Sequence, residues 1–209
     1  MHWFHRPDGP SLQYAAWGPA DGTPVVMLHG ITDSWRAFEP LVPHLPPWWR
    51  VVAPSQRGHG DSERPRDGYD THTLAADAAA LIDALALAPA VVVGHSMGAA
   101  VALQLAIDRP DAVLALAGLG TFAGFADHEA LREFVQREVA ALADPIPPAF
   151  VRAFVADTVE RELPPHRLDT IVAEGLKLPA RVWRSAFDAL LDDSGWRDAL
   201  HRVHAPALL

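Results

Sequence analysis

The sequence contains no cysteine, which excludes disulfide bonds and thiol chemistry. Basic residues are also few: 17 Lys and Arg stand against 26 Asp and Glu, for a formal net charge of -9. This balance argues against a surface for nucleic acid or anionic membranes, because such surfaces need clustered Lys and Arg. No segment reaches the roughly 18 consecutive apolar residues of a membrane span. The opening MHWFHRPDGP also lacks the basic and apolar regions of a signal peptide. We therefore expect a cytoplasmic protein with no nucleic-acid or membrane partner, and leave its oligomeric state open.

Hydrophobic residues make up 50% of the chain and charged residues 21%, which predicts a packed core. Short apolar segments alternate with helical patterns in the first 121 residues. The predicted strands are 2–5, 12–17, 24–29, 50–54, 90–94 and 112–118. The predicted helices are 34–45, with Asp33 or Ser34 as its cap, 71–87 and 97–108. This alternation predicts an α/β fold, with a mostly parallel sheet and helices on both faces.

The pattern changes after residue 121. Between residues 122 and 201 no strand is predicted, and three apolar stripes with helical spacing occur instead, the first beginning near Asp127. The final APALL, Ala205–Leu209, has the character of a further strand. We therefore predict a core made of residues 1–121 and 202–209, with a helical insertion of residues 122–201 laid over the sheet.

The segment Gly94-His95-Ser96-Met97-Gly98 lies between a Val-rich strand and a helix of small residues. G-x-S-x-G in this context is typical of a nucleophile elbow, a sharp turn that exposes the serine hydroxyl. The turn places Ser96 at a helix N-terminus, where backbone N–H groups favour a developing negative charge. The sequence therefore predicts Ser96 as the nucleophile. The N–H groups of Met97 and of Ile31, in His29-Gly30-Ile31, are the candidate oxyanion hole.

Four segments resemble the α/β-hydrolase family, in particular its capped serine hydrolases of esterase, lactonase and carbon–carbon hydrolase type. They are HGI at 29–31, SQRGHGDSERP at 55–65, GHSMG at 94–98 and APALL at 205–209. The resemblance implies an α/β-hydrolase fold with an inserted helical cap. Ser55 stands where the family often has an aspartate, a departure that does not touch the catalytic step. Ser96 excludes the nucleophilic aspartate of the related dehalogenases and epoxide hydrolases.

In this fold the catalytic residues follow the chain order Ser, acid, His. The resemblance implies that the acid follows the strand begun by APALL and that the His comes one strand later. Both positions lie beyond Leu209, so we expect a C-terminally truncated hydrolase with its last strand and helix missing. Asp127 is an alternative acid, although a helix cap is the simpler interpretation. The histidines weighed as general base, and considered poor candidates, are His29, His59, His95, His128, His166, His201 and His204.

The most regular apolar stripe, from Val182 to Leu191, is typical of core packing. One of its faces could also roof an acyl pocket, which makes Trp183 and Phe187 the candidate substrate-binding residues. Arg181 and Arg184 are candidates for binding an anionic substrate group. His201 and His204 lack an acidic partner at metal-site spacing, so no metal is expected. The glycines from Gly118 to Gly124 do not match a dinucleotide-binding spacing, so no cofactor is expected either.

Together these features predict a serine hydrolase that cleaves small to medium carboxylic esters through an acyl-enzyme. In one alternative Ser96 is still the nucleophile but a different substrate bond is cleaved, as in a lactonase or a carbon–carbon bond hydrolase. The other alternative is a non-catalytic protein on a truncated hydrolase fold.

Overall fold

A computed structural model describes residues 1–122, 124, 128–192 and 196–209. The described residues form a seven-stranded sheet of order β1-β2-β4-β3-β5-β6-β7. Its strands are β1 His2–Phe4, β2 Leu12–Trp17, β3 Thr23–Leu28, β4 Trp49–Pro54, β5 Ala90–His95, β6 Val113–Leu119 and β7 Ala207–Leu208. The pairs β1–β2 and β2–β4 are antiparallel, and the pairs from β4 to β7 are parallel. The predicted α/β fold with a mostly parallel sheet is confirmed.

The central strands are apolar on both faces because helices cover them on both sides. Val25 and Val26 of β3 are fully buried and pair with Val91 and Val92 of β5. A parallel strand that is covered on both faces is a continuous apolar run rather than an alternating one. This is why the run PVVMLH could be identified as a strand from the sequence.

Two α-helices pack on one face of the sheet, and a 3₁₀ helix packs on the other. The bounds are α1 Thr71–Ala84, α2 Met97–Asp108 and, for the 3₁₀ helix, Trp35–His44, with a further 3₁₀ turn at Pro110–Ala112. The 3₁₀ helix begins after Ser34, whose hydroxyl accepts a hydrogen bond from the Arg36 N–H at 3.2 Å. Pro40 and Pro43 lie inside this helix. They have no N–H to donate, which weakens regular α-helical bonding.

A separate layer of helices, which we call the helical layer, follows β6. It comprises α3 Glu129–Phe134 with a π turn at Val135–Val139, α4 Pro148–Asp157, α5 Pro165–Gly175 and α6 Ala180–Leu191. The short α7 Trp196–Ala199 and a 3₁₀ turn at Leu200–Arg202 then lead to β7. Helix α5, which begins at the second of two consecutive prolines, was not predicted from the sequence. The N-terminal cap of α3 is the His128 ring, which accepts a hydrogen bond from the Leu131 N–H. Asp127, predicted near this position, lies outside the described residues.

The helical layer has a hydrophobic cluster of its own. Trp183 and Phe187 of α6 are completely or almost completely buried, and rings from α3 and α4 surround them. The ring centroids of Phe154 and Trp183 are 5.3 Å apart, and those of Phe154 and Phe187 are 5.7 Å apart. Edge-to-face packing at such distances adds to the burial of apolar area. The layer is therefore held together internally rather than by the sheet alone.

Charged side chains join the helical layer to loops of the sheet. Arg181 donates hydrogen bonds to the carbonyls of Pro65 and Arg64, and the Lys177 ammonium lies 2.8 Å from Asp61. Arg184 donates to the Leu142 carbonyl within the layer. Arg181 and Arg184 were candidates for binding an anionic substrate. In the structure both guanidinium groups bind backbone carbonyls instead.

None of the helices in the described part of the chain is both long and apolar enough to cross a membrane.

Candidate active site

Ser96 lies at a sharp turn between β5 and α2. Its backbone has φ 51° and ψ -117°, a positive φ that a serine adopts only at a cost. The Ser96 N–H donates to the Leu119 carbonyl of β6 at 2.9 Å, which ties the turn to the neighbouring strand. The Ser96 carbonyl accepts the first hydrogen bonds of α2, from Ala99 and Ala100. The predicted elbow conformation is present.

The two glycines of the motif allow this turn to form. A Cβ atom at Gly94 would collide with the Gly98 carbonyl and with Ala99, and a Cβ atom at Gly98 would collide with the Leu28 carbonyl. These neighbours are backbone atoms that cannot move aside. Glycine at both positions is therefore needed to bring α2 against β3 and β5.

The strain at Ser96 leads to a prediction on stability. Ser96→Gly should increase the free energy of unfolding by about 1 kcal/mol, because glycine adopts a positive φ without steric cost. Ser185→Gly, in the middle of α6, is the matched control and should lower it by about 1 kcal/mol. Urea unfolding of both variants measures the difference. Destabilisation of the two variants to the same extent would contradict strain at the elbow.

The loop after β3 lies directly against the elbow. A Cβ atom at Gly30 would lie 2.9 Å from His95 Nδ1 and 3.4 Å from Ser96 Cβ, so a larger residue would require the His95 ring to move. Buried His29 fixes the loop: its Nε2 accepts from the Gln56 N–H at 2.9 Å, and its Nδ1–H donates to the Gly30 carbonyl at 2.8 Å. Burial holds the pKa of the His29 imidazole well below its usual range. His29 therefore positions the loop as a neutral ring.

The amides of Ile31 and Met97 are the two predicted oxyanion donors. Met97 is the first residue of α2, where N–H groups have no partner within the helix. In the part of the chain that the structure describes, the Ile31 N–H donates to no backbone or side-chain acceptor. The Ile31 side chain packs against the clusters of both the sheet and the helical layer, which holds its backbone in place.

A cavity of about 370 Å³ adjoins Ser96, between the sheet and the helical layer. The loop after β3 and the elbow form one wall, and α4, α5 and the turn after α4 form the other. The lining residues are Gly30, Ile31, Thr32, Asp33, His95, Ser96, Gly120, Phe154, Val155, Thr158, Val159 and Ile171. This volume is within the range of about 300–1,000 Å³ that small-molecule sites occupy.

Trp183 and Phe187, the predicted substrate-binding residues, lie behind the residues that form this wall. They are 0% and 1% exposed, and they are not among the described residues that line the cavity. Phe154, which packs on both rings, forms the apolar wall instead. The apolar stripe from Val182 to Leu191 could not show whether these residues line a pocket. A helix face that is buried inside the layer and one that lines a pocket are equally apolar.

Asp33 is a charged residue of the cavity wall that the sequence analysis considered only as a helix cap. Its Oδ1 accepts a hydrogen bond from the Ser34 N–H at 2.8 Å. Burial raises the pKa of the Asp33 carboxyl to about 6, although the Ser34 hydrogen bond and the nearby Arg167 oppose this rise. Its position two residues after Ile31 is the sequence signal that could have placed it in the site.

All 11 histidines of the sequence are within the described residues, and none of their ring nitrogens hydrogen-bonds the Ser96 hydroxyl. His59 is buried and its Nδ1–H donates to the Arg57 carbonyl at 2.9 Å; burial lowers its pKa to about 4. His95 lines the cavity, and His201 donates to the Asp198 carbonyl. The structure therefore shows the elbow without a histidine bonded to its serine.

The comparison with known proteins agrees with this geometry. A family model described as "alpha/beta hydrolase fold" matches residues 23–197, which is most of the chain. The chain therefore belongs to the alpha/beta hydrolase fold family. The matched range includes the loop after β3, the elbow at Ser96 and most of the helical layer.

Three of the proteins to which the chain is similar are named as a chloroperoxidase, a lipase and an esterase. The chain is 46% identical over 94 residues to a non-heme chloroperoxidase of Streptomyces lividans, a match that covers 44% of this chain and 33% of the relative. It is 36% identical over 183 residues to lipase LipV of Mycobacterium tuberculosis, which covers 86% of this chain and 69% of the lipase. The solved esterase of Exiguobacterium antarcticum superposes with a TM-score of 0.82 at 24% identity, over 98% of this chain and 78% of the esterase. The match to the chloroperoxidase thus spans about a third of that relative's length.

Proposed function

We propose that the protein is a serine hydrolase that cleaves small to medium carboxylic esters. The observation that carries this proposal is the strained backbone of Ser96, with φ 51°, beside the amides of Met97 and Ile31. A strained non-glycine residue in a cavity is a feature of functional sites rather than of ordinary packing. The names of the esterase and the lipase to which the chain is similar point to the same reaction class.

In the proposed reaction the Ser96 oxygen attacks the ester carbonyl and loses its proton to a base. The carbonyl oxygen becomes an oxyanion, which the N–H groups of Ile31 and Met97 stabilise. The alcohol leaves with a proton from the protonated base, and an acyl group remains on Ser96. Water, activated by the same base, then releases the carboxylic acid and restores the serine. In this conformation the histidines of the chain do not supply that base, so we propose that it comes from outside residues 1–209.

The cavity can accommodate an acyl group of limited size. Its apolar side is formed by Ile31, Phe154, Val155, Val159 and Ile171. An apolar wall binds the alkyl or aryl part of an ester, and the amides hold its carbonyl. We propose that the helical layer acts as the cap of this site. Trp183 and Phe187 would then set the position of Phe154 without touching the substrate.

Trapping of the acyl-enzyme across a series of p-nitrophenyl esters tests the proposal. The protein is incubated with esters from acetate to dodecanoate in imidazole buffer, quenched in acid and examined by peptide mass mapping. We expect an acyl adduct on Ser96 that is strongest for the short and medium chains, because the volume of the cavity is only about 370 Å³. The Ser96→Ala chain is the control. Adducts that form equally without Ser96 would contradict the proposal.

The structure gives less support to the alternatives. A carbon–carbon hydrolase or a lactonase for anionic substrates needs cationic side chains in the cavity. Arg181 and Arg184 instead bind backbone carbonyls. A non-catalytic protein would have no use for a strained serine beside free amides.

A further inference from the structure

Asp33 is unusual among the residues that line the cavity beside Ser96. Its neighbours on the wall are glycines, threonines, aliphatic residues, Phe154 and His95. Asp33 is thus the one carboxylic acid among the described lining residues. It follows Ile31, a predicted oxyanion donor that also lines the cavity, by two residues. A group bound to this carboxyl would therefore lie close to the reacting ester.

One of the two oxygens of the Asp33 carboxyl has no hydrogen-bond partner among the described residues. Oδ1 accepts the hydrogen bond from the Ser34 N–H, but Oδ2 has no hydrogen bond to any described residue. No Lys, Arg or His nitrogen of the described chain lies within 4.0 Å of either oxygen. Asp33 is half-buried, and its Oδ2 is not among the buried unpaired atoms of the described chain, so this oxygen is open to a ligand that enters the cavity.

The charges around Asp33 are already paired with other groups. Arg167 of α5 donates to the Arg36 carbonyl at 3.3 Å and lies 4.0 Å from Glu39. Arg36 lies 3.3 Å from Glu174, and Lys177 lies 3.0 Å from the same carboxylate. Arg167 attracts the negative charge of Asp33 from beyond contact distance, and Glu174 repels it. His95 is the other titratable residue among the described residues that line this cavity. These pairs leave Asp33 available to a ligand.

We propose that Asp33 determines specificity by selecting esters that carry an ammonium group. This inference rests on the proposed ester hydrolase function and adds the substrate class to it. The cation would face the free Oδ2 of Asp33 while its alkyl substituents contact the apolar wall. The Phe154 ring on the same cavity adds a surface that attracts cations. Asp33 binds one part of the substrate and takes no part in bond cleavage.

A matched pair of ligands tests this specificity. Acetylcholine and 3,3-dimethylbutyl acetate have the same shape and differ in one positive charge. Their dissociation constants are measured by ligand-observed NMR at pH 8, in the Ser96→Ala background so that neither ester is consumed. The quantity of interest is the dissociation constant of the neutral ester divided by that of the cationic ester. We expect Asp33→Asn to lower this ratio by about tenfold, the effect of losing one partly desolvated charge pair.

Two controls separate a local effect from a general change of charge. Asp67→Asn removes the same charge from an exposed loop and should leave the ratio unchanged. At pH 5 the Asp33 carboxyl, with its pKa of about 6, is mostly protonated, so the ratio should fall without any substitution. An unchanged ratio in Asp33→Asn, an equal fall in Asp67→Asn, or no binding of either ester would overturn the proposal. Because binding does not require attack by Ser96, these results are independent of whether the protein is a hydrolase.

Discussion

The 209-residue polypeptide is expected to hydrolyse p-nitrophenyl acetate roughly 10⁶-fold more slowly than a serine hydrolase with a histidine bonded to its nucleophile. The reason is that no ring nitrogen of its histidines hydrogen-bonds the Ser96 hydroxyl. A neutral hydroxyl is a poor nucleophile, and backbone amides cannot take the place of a proton acceptor. Stopped-flow or plate assays of p-nitrophenol release measure the rate directly.

Imidazole added to the solution should restore part of this activity. The cavity beside Ser96 has room for a ring of this size, and imidazole has a suitable pKa to accept the serine proton near pH 7. We expect the rate to rise at least roughly tenfold above the reaction of imidazole alone and to saturate with imidazole concentration. Ser96→Ala should show no saturable increase. If this protein hydrolysed the ester in the absence of imidazole at a rate typical of a complete serine hydrolase, this account would be refuted.

Asp77→Ala is expected to lower the free energy of unfolding by about 3–5 kcal/mol, the largest stability effect predicted for a single residue here. Asp77 lies on α1 and is 3% exposed. Its carboxylate accepts hydrogen bonds from Arg57 Nε at 2.5 Å, from Arg57 Nη2 at 2.8 Å and from Arg6 Nη1 at 2.9 Å. Removal of the carboxylate leaves the Arg57 guanidinium buried without an anion.

The same helix provides a control for this effect. Asp83, one turn and a half further along α1, bonds Arg109 at 2.9 Å, but both side chains are largely accessible to water. Asp83→Ala should therefore lower the free energy of unfolding by only about 0–1 kcal/mol. Urea denaturation of the two variants compares a buried with an exposed ion pair. Similar losses in the two variants would show that the buried Asp77 ion pair contributes no more than the exposed one.

The sheet could be predicted from the sequence because its central strands are unusually apolar. The apolar runs that begin at Pro24 and Ala90 are each followed by a glycine. The Ala-rich segments that form α1 and α2 have a composition typical of helices. The sharp turn at Ser96 could be predicted as well, since Gly94 and Gly98 fix it locally. These features depend on residues that are neighbours in sequence.

Features that depend on distant contacts could not be predicted in the same way. The sequence contains no sign that Pro40 and Pro43 would give a 3₁₀ helix rather than a shortened α-helix. It also could not place Trp183 behind Phe154, because that order depends on how α4 and α6 pack. The isolation of Asp33 follows from the salt bridges of Arg36 and Glu174, which join residues far apart in the chain.

The separate aromatic cluster of the helical layer has a consequence for how this protein can change over evolutionary time. Substitutions of Val155, Val159 or Ile171 would alter the shape of the cavity beside Ser96, while the strands that hold Ser96 draw their stability from other side chains. The shape of the cavity and the stability of the sheet thus depend on different parts of the polypeptide. A lineage could therefore change the shape of this cavity by mutation of α4 and α5 while the turn at Ser96 is kept.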